Sequence, residues 1–141
     1  MLVREYGIKK IYMGRMDHGS DLLKSLEEFV IEKGIKTGII QLVGAATKVG
    51  MAYYDEEDKV YYPISLNKPV EIAKSIGNIS IKDGKPMVHL HITVSDEEGN
   101  AFAGHLTEGT TVFAGEFSII ELEGPELVRE YDDITGLTLW K

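Results

Sequence analysis

The stretch PMVHLHITVSDEEGNAFAGHL, residues 86–106, decides how this chain folds. Val88, Leu90 and Ile92 alternate with His89, His91 and Thr93. That period of two is a half-buried strand, with the histidines on one face and the aliphatic residues on the other. Glu97-Glu98-Gly99 separates this run from a second one, Asn100 to Glu108. A three-residue loop closed by a left-handed glycine is a favoured hairpin connection, and it pairs Asp96 with Asn100. The same register sets His91 opposite His105, so that His89, His91 and His105 share one face. A two-residue loop would shift the pairing by one and send His105 to the other side.

Working outward, further strands surround this hairpin. Residues 70–82 read as a strand joined to 86–95 by Asp83-Gly84. A two-residue turn there pairs Lys82 with Lys85 and sets Asn78 opposite His89. Residues 111–122 form the next strand. Upstream, 38–54 begins with the apolar run Ile39-Ile40-Gln41-Leu42-Val43, as in a strand covered on both faces. Gly44 and Gly50 mark bends in it. Residues 60–66 alternate again, and Pro63 puts that strand at an edge. Residues 8–16 read as a first strand, and the tail from Leu127 to Trp140 adds one or two more around Asp132-Asp133.

One helix interrupts the strands. Leu22, Leu26, Phe29 and Val30 recur at helical spacing over about 20–33. Ser20 is the expected N-cap, Asp21 an acid at the positive end of the dipole, and Gly34 the left-handed terminator. One helix among many consecutive strands implies an α+β fold, a mainly antiparallel twisted sheet with one principal helix packed on it. No repeat or linker divides the chain, so residues 1–141 are expected to form a single domain.

Composition narrows the function classes. The chain has 141 residues, no cysteine and a formal charge of −8, from 23 acidic against 15 basic residues. Absence of cysteine excludes disulfides, thiolate nucleophiles and Cys-ligated zinc. An acidic chain lacks the positive field that most of DNA affinity draws on. The N-terminus has no leader pattern and no run is long and apolar enough for a membrane helix, so a cytoplasmic location is expected. Few amides with abundant Ile, Glu and Lys suit a thermophile.

The concentrated chemistry lies in the histidines. A lone strand histidine is usually a half-buried hydrogen-bonding residue, and His-x-His by itself is a weak signal. A third imidazole placed opposite by a favoured turn makes a ligand set. Three neutral imidazoles with an open fourth position suit Zn²⁺ best, with other divalent transition metals next. Asn78 beside them is a candidate to hydrogen-bond an imidazole and fix its tautomer behind the metal. Glu71 and Glu108 are candidate bases by type, but the expected register puts both on the opposite face. His18, before the helix, reads as a loop residue. Tyr53-Tyr54 and Tyr61-Tyr62 read as cross-strand aromatic pairs.

In combination, Gly19-Ser20-Asp21-Leu22-Leu23, Gly44-Ala45-Ala46, Val70-Glu71-Ile72, Ser75-Ile76-Gly77-Asn78, His89-Leu90-His91 and Gly104-His105-Leu106 resemble the PPC domain. This plant and prokaryote conserved domain also occurs in plant AT-hook nuclear proteins. The resemblance covers about residues 6–123 and is nearest to the stand-alone archaeal and bacterial members. It implies a homotrimer, a metal motif at His89, His91 and His105, and a partner-recruitment segment around Glu71 and Ile72. It also carries a DNA-binding label. An AT-hook needs tandem bases around glycine to enter the minor groove; here the one Gly-Arg, Gly14-Arg15, is followed by Met16. Two functional classes follow: a metal-binding, homotrimeric interaction or transcription-linked module, and a zinc-dependent hydrolase or lyase acting on a small molecule.

Overall fold

A computed structural model describes all residues from Met1 to Lys141. Nine strands and one helix follow in the order β1 (Gly7–Arg15), α1 (Leu22–Lys33), β2 (Gly38–Asp55), β3 (Val60–Leu66), β4 (Val70–Lys82), β5 (Lys85–Ser95), β6 (Ala101–Leu106), β7 (Thr111–Glu123), β8 (Val128–Tyr131) and β9 (Thr138–Trp140). The fold is mainly β, with one helix as expected. The sheet is mixed, however: β8 runs parallel to β4, pairing Ile81 with Val128 and Lys82 with Arg129. All other strand pairings are antiparallel.

β2 organises the sheet. Its first half lies between β7 and β4, and its second half pairs with β3 and, at Met51 and Ala52, with β6. The pairings β2–β4–β5–β6–β2 thereby close on themselves, which requires β2 to bend. Gly44 allows part of that bend. Its φ is 152°, and a Cβ there would stand 2.2 Å from the Ala114 carbonyl oxygen. β3 pairs only with β2, the edge position anticipated from Pro63.

The two hairpins that set the site take the expected registers. Asp83 and Gly84 both have positive φ, 52° and 75°, as a type I′ turn demands. Lys82 pairs with Lys85 and Asn78 with His89. At the next turn Gly99 is left-handed with φ 80°, and its N–H donates to the Asp96 carbonyl. The Asp96 carboxylate accepts from the backbone N–H groups of Glu98 and Asn100, at 3.1 and 2.9 Å, and from Lys68 at 2.6 Å. These bonds hold the three-residue loop, and His91 pairs with His105.

The helix starts one residue later than its sequence signals imply. Asp21, not Ser20, is the N-cap: its Oδ1 accepts from Lys24 N–H and its Oδ2 from Gly109 N–H. The Ser20 hydroxyl donates instead to the Asp17 carbonyl. Gly34 ends the helix with φ 66°, and the N–H groups of Gly34 and Ile35 cap the carbonyls of Ile31 and Val30. Leu22, Leu26 and Val30 join Val88, Leu90, Ile92, Ile40, Leu42 and Ile119 in one buried cluster. The aliphatic face of β5 is therefore spent on the core, and the histidine face points away from it.

Candidate metal centre

On the outward face of β5 and β6 the three imidazoles form a triangle. Ring centroids are 5.3 Å apart for His89 and His91, 5.0 Å for His89 and His105, and 5.5 Å for His91 and His105. One nitrogen from each ring lies within 4.8 Å of one from each of the others. His89 and His105 are half-buried and His91 is exposed. Backbone geometry keeps the strands close here. A Cβ at Gly77 would sit 1.8 Å from the His89 carbonyl oxygen, so only glycine fits opposite Leu90. The Ser75 hydroxyl donates to the His91 carbonyl at 3.0 Å and ties β4 to β5 from the buried side.

Burial and nearby positive charge favour the neutral form of His89 and His105. Burial, then the Arg129 charge and the other two histidines, lower His89 from 6.5 to about 4. Burial, His91 and Arg129 lower His105 as well. A neutral imidazole is the form that offers a lone pair to a metal. His105 Nδ1 is buried with no hydrogen-bond partner in the protein. Leaving such an atom unsatisfied costs about 1–3 kcal/mol, a cost that a coordinated cation would remove. A three-nitrogen donor set that includes one orphaned nitrogen fits a divalent transition metal.

A family description, the Plants and Prokaryotes Conserved (PCC) domain, matches residues 3–123. The chain belongs to this family. Among solved structures, a metal-containing protein from Archaeoglobus fulgidus is 39% identical, with a TM-score of 0.95 over 100% of this chain and 99% of its own. A PPC protein from Pyrococcus horikoshii is 36% identical, with a TM-score of 0.94 over 100% and 97% of the two chains. A candidate DNA-binding protein from Bacteroides thetaiotaomicron is 30% identical, with a TM-score of 0.87 over 96% of each chain. A bifunctional GlmU protein from a Synechococcus strain is 29% identical over 133 residues; this PCC domain covers 92% of its own length there but only 20% of the relative's.

Two further residues complete the surroundings of the triangle: Arg129, which no sequence signal marked, and Tyr61, expected only as part of a cross-strand aromatic pair. Arg129, on β8 and beyond the residues matched to the PCC family, brings Nη2 to 3.3 Å from His89 Nδ1. The same nitrogen donates to Asn78 Oδ1 at 2.9 Å, Nε donates to Ser80 Oγ at 2.7 Å, and Nη1 donates to the Thr138 carbonyl at 3.0 Å. Asn78 thus stands opposite His89 as expected, but its oxygen is engaged by Arg129, which is the group that touches the imidazole. Tyr61 of β3 packs against His105, ring centroids 4.9 Å apart, and at a tilt against its cross-strand partner Tyr54 at 4.8 Å.

The carboxylates stay away from the triangle. Glu108 is exposed and paired with Lys24 of the helix at 2.9 Å. Glu71 corrects the expected parity. A bulge between Ile72 and Lys74 flips it to the exposed face, yet it pairs with Ser95, four residues along β5 from His91. Ile72 is buried in the core. His18 is an exposed turn residue whose Nδ1 lies 2.8 Å from the Phe113 carbonyl.

Proposed function

We propose that this PCC-domain protein is a homotrimeric module that holds a divalent transition metal, zinc by preference, on His89, His91 and His105. The observation that carries the reading is the convergence of three imidazoles, one with a buried, unpartnered nitrogen. The metal-containing relative from Archaeoglobus fulgidus supports it. Zinc bound there would act as a Lewis acid and lower the pKa of bound water. Asn78 would act indirectly, by holding Arg129 against the histidines.

Self-association is supported by apolar side chains on the same outward face. Ile39 pairs with Asn78 and Ile76 with His91, and both isoleucines are 44% exposed. Exposed aliphatic side chains on this face suit a subunit contact. The reading extends to recruitment of protein partners through the exposed Glu71 region in a transcription-linked role. Direct DNA binding has weak support, because the charge is −8 and no AT-hook is present.

A second reading, a zinc-dependent hydrolase or lyase for a small molecule, is favoured by one observation: half-buried Arg129 and exposed Tyr61 flank the triangle. No carboxylate belongs to the ligand cluster to serve as base. Titration calorimetry of zinc into chelator-stripped protein, with sedimentation equilibrium before and after, tests the first reading. One saturable site per chain in a species of trimer mass is expected; a monomer without saturable zinc binding overturns it. Turnover of ester, phosphate or lactone substrates by the loaded protein would favour the second.

A further inference from the structure

Arg129 is placed in a way that a structural role alone does not explain. It is half-buried, yet none of the chain's six ion pairs involves it. A guanidinium taken out of bulk water is normally paired with an anion. Its N–H groups are instead spread over neutral acceptors: the Ser80 hydroxyl, the Thr138 carbonyl, the Asn78 amide oxygen and His89 Nδ1. The ring of Trp140, 5.6 Å from the guanidinium carbon, covers one side. Arg129 is therefore fixed beside the histidines with its charge uncompensated.

Metal binding changes this arrangement by necessity. A neutral imidazole has one lone pair and one N–H. If a metal is bound at His89 Nδ1, the lone pair that faces Arg129 is consumed. If the metal is bound at Nε2, the proton moves to Nδ1, and two donors then face each other. In either case the Arg129 Nη2 hydrogen directed at His89 loses its acceptor. At the same time a dication sits among three uncharged ligands next to this cation. An anionic oxygen at the open coordination position would accept the freed N–H and neutralise part of the charge on both.

We propose that the metal-loaded site takes a ligand with an anionic oxygen group, a carboxylate or a phosphate, shared between the metal and Arg129. The inference rests on the metal reading of the three histidines and adds the class of ligand to it. Arg129 then serves as a ligand-binding residue, held in place by Asn78 and Ser80. An anionic oxygen suits it because a hydrogen bond from a guanidinium N–H to an oxyanion is charge-assisted and stronger than one to a neutral acceptor.

Protein loaded with Co²⁺ tests this, since the visible bands of the ion report its coordination directly. Acetate and inorganic phosphate are titrated separately, with perchlorate as the ionic-strength control. A saturable spectral change is expected with at least one of the two oxyanions, and the responding arm identifies the group. Arg129→Met should weaken that binding about tenfold or more, the scale of a lost charge-assisted hydrogen bond. Arg129→Lys, which keeps the charge, should retain part of it. Circular dichroism and cobalt content are measured for each variant. The proposal is overturned if neither oxyanion exceeds perchlorate, or if both variants bind like wild type. Failure of the wild-type protein to load cobalt would overturn the metal reading itself and this inference with it.

Discussion

His89 carries the clearest coupling between site and stability. In an unfolded chain a histidine titrates near 6.5; in the fold, burial and the neighbouring Arg129 hold His89 at about 4. Between those values the unfolded chain binds a proton that the folded chain refuses. Metal-free protein should therefore keep its full stability above pH 6.5 and lose it progressively as the pH falls toward 4. Urea midpoints at pH 7.5 and 5.0 for metal-free wild type and His89→Gln check this: the drop should be larger in wild type. Equal drops would show that the imidazole is not held neutral. The histidines themselves were legible in the sequence, because alternation and spacing suffice to place them on one face. Arg129 was not, since its contact with His89 spans forty residues and depends on a parallel β4–β8 pairing that no local pattern announces.

Among the elements, the β4–β5–β6 meander sets the geometry, and its two turns were readable from their residues. Positive φ at Asp83, Gly84 and Gly99 fixes loop length, and loop length fixes register. The bulge at Ala73 was not readable, because neither a glycine nor a proline marks it. It reversed the face expected for Glu71. The N-cap moved to Asp21 because that carboxylate serves two N–H groups, one of them on Gly109, a long-range contact outside any capping rule. Gly77 tests the element scale. Gly77→Ala forces a methyl against the His89 carbonyl and must push β4 and β5 apart. A loss of about 2–4 kcal/mol in urea denaturation is expected, at the upper end for single substitutions, accompanied by weaker zinc binding. Wild-type stability in the variant would mean that the strands are not held this close.

At the scale of the whole molecule, the closed β2–β4–β5–β6 circuit with its helix uses one sheet face for the core and leaves the other for chemistry and contacts. The bending of β2 was foreshadowed only by Gly44 and Gly50; which strands its two halves would meet was not, because that depends on tertiary closure. No helix is long and apolar enough to cross a membrane. The charge of −8 bears on the DNA-binding label carried by some relatives. Fluorescence anisotropy with AT-rich and random duplexes, at 50 and 200 mM salt, should show no saturable binding. Tight, salt-sensitive binding would reveal a local basic surface that outweighs the overall charge.

The central feature of the molecule is three imidazoles placed to hold one metal together. Elemental analysis of untagged protein, purified without chelating resin, tests this directly when wild type is compared with His91→Ala. His91 is exposed and outside the core, so the variant should fold. Wild type should carry close to one equivalent of a transition metal per chain, and His91→Ala should lose most of it. Equal metal content in the two proteins, or none in either, would contradict the account.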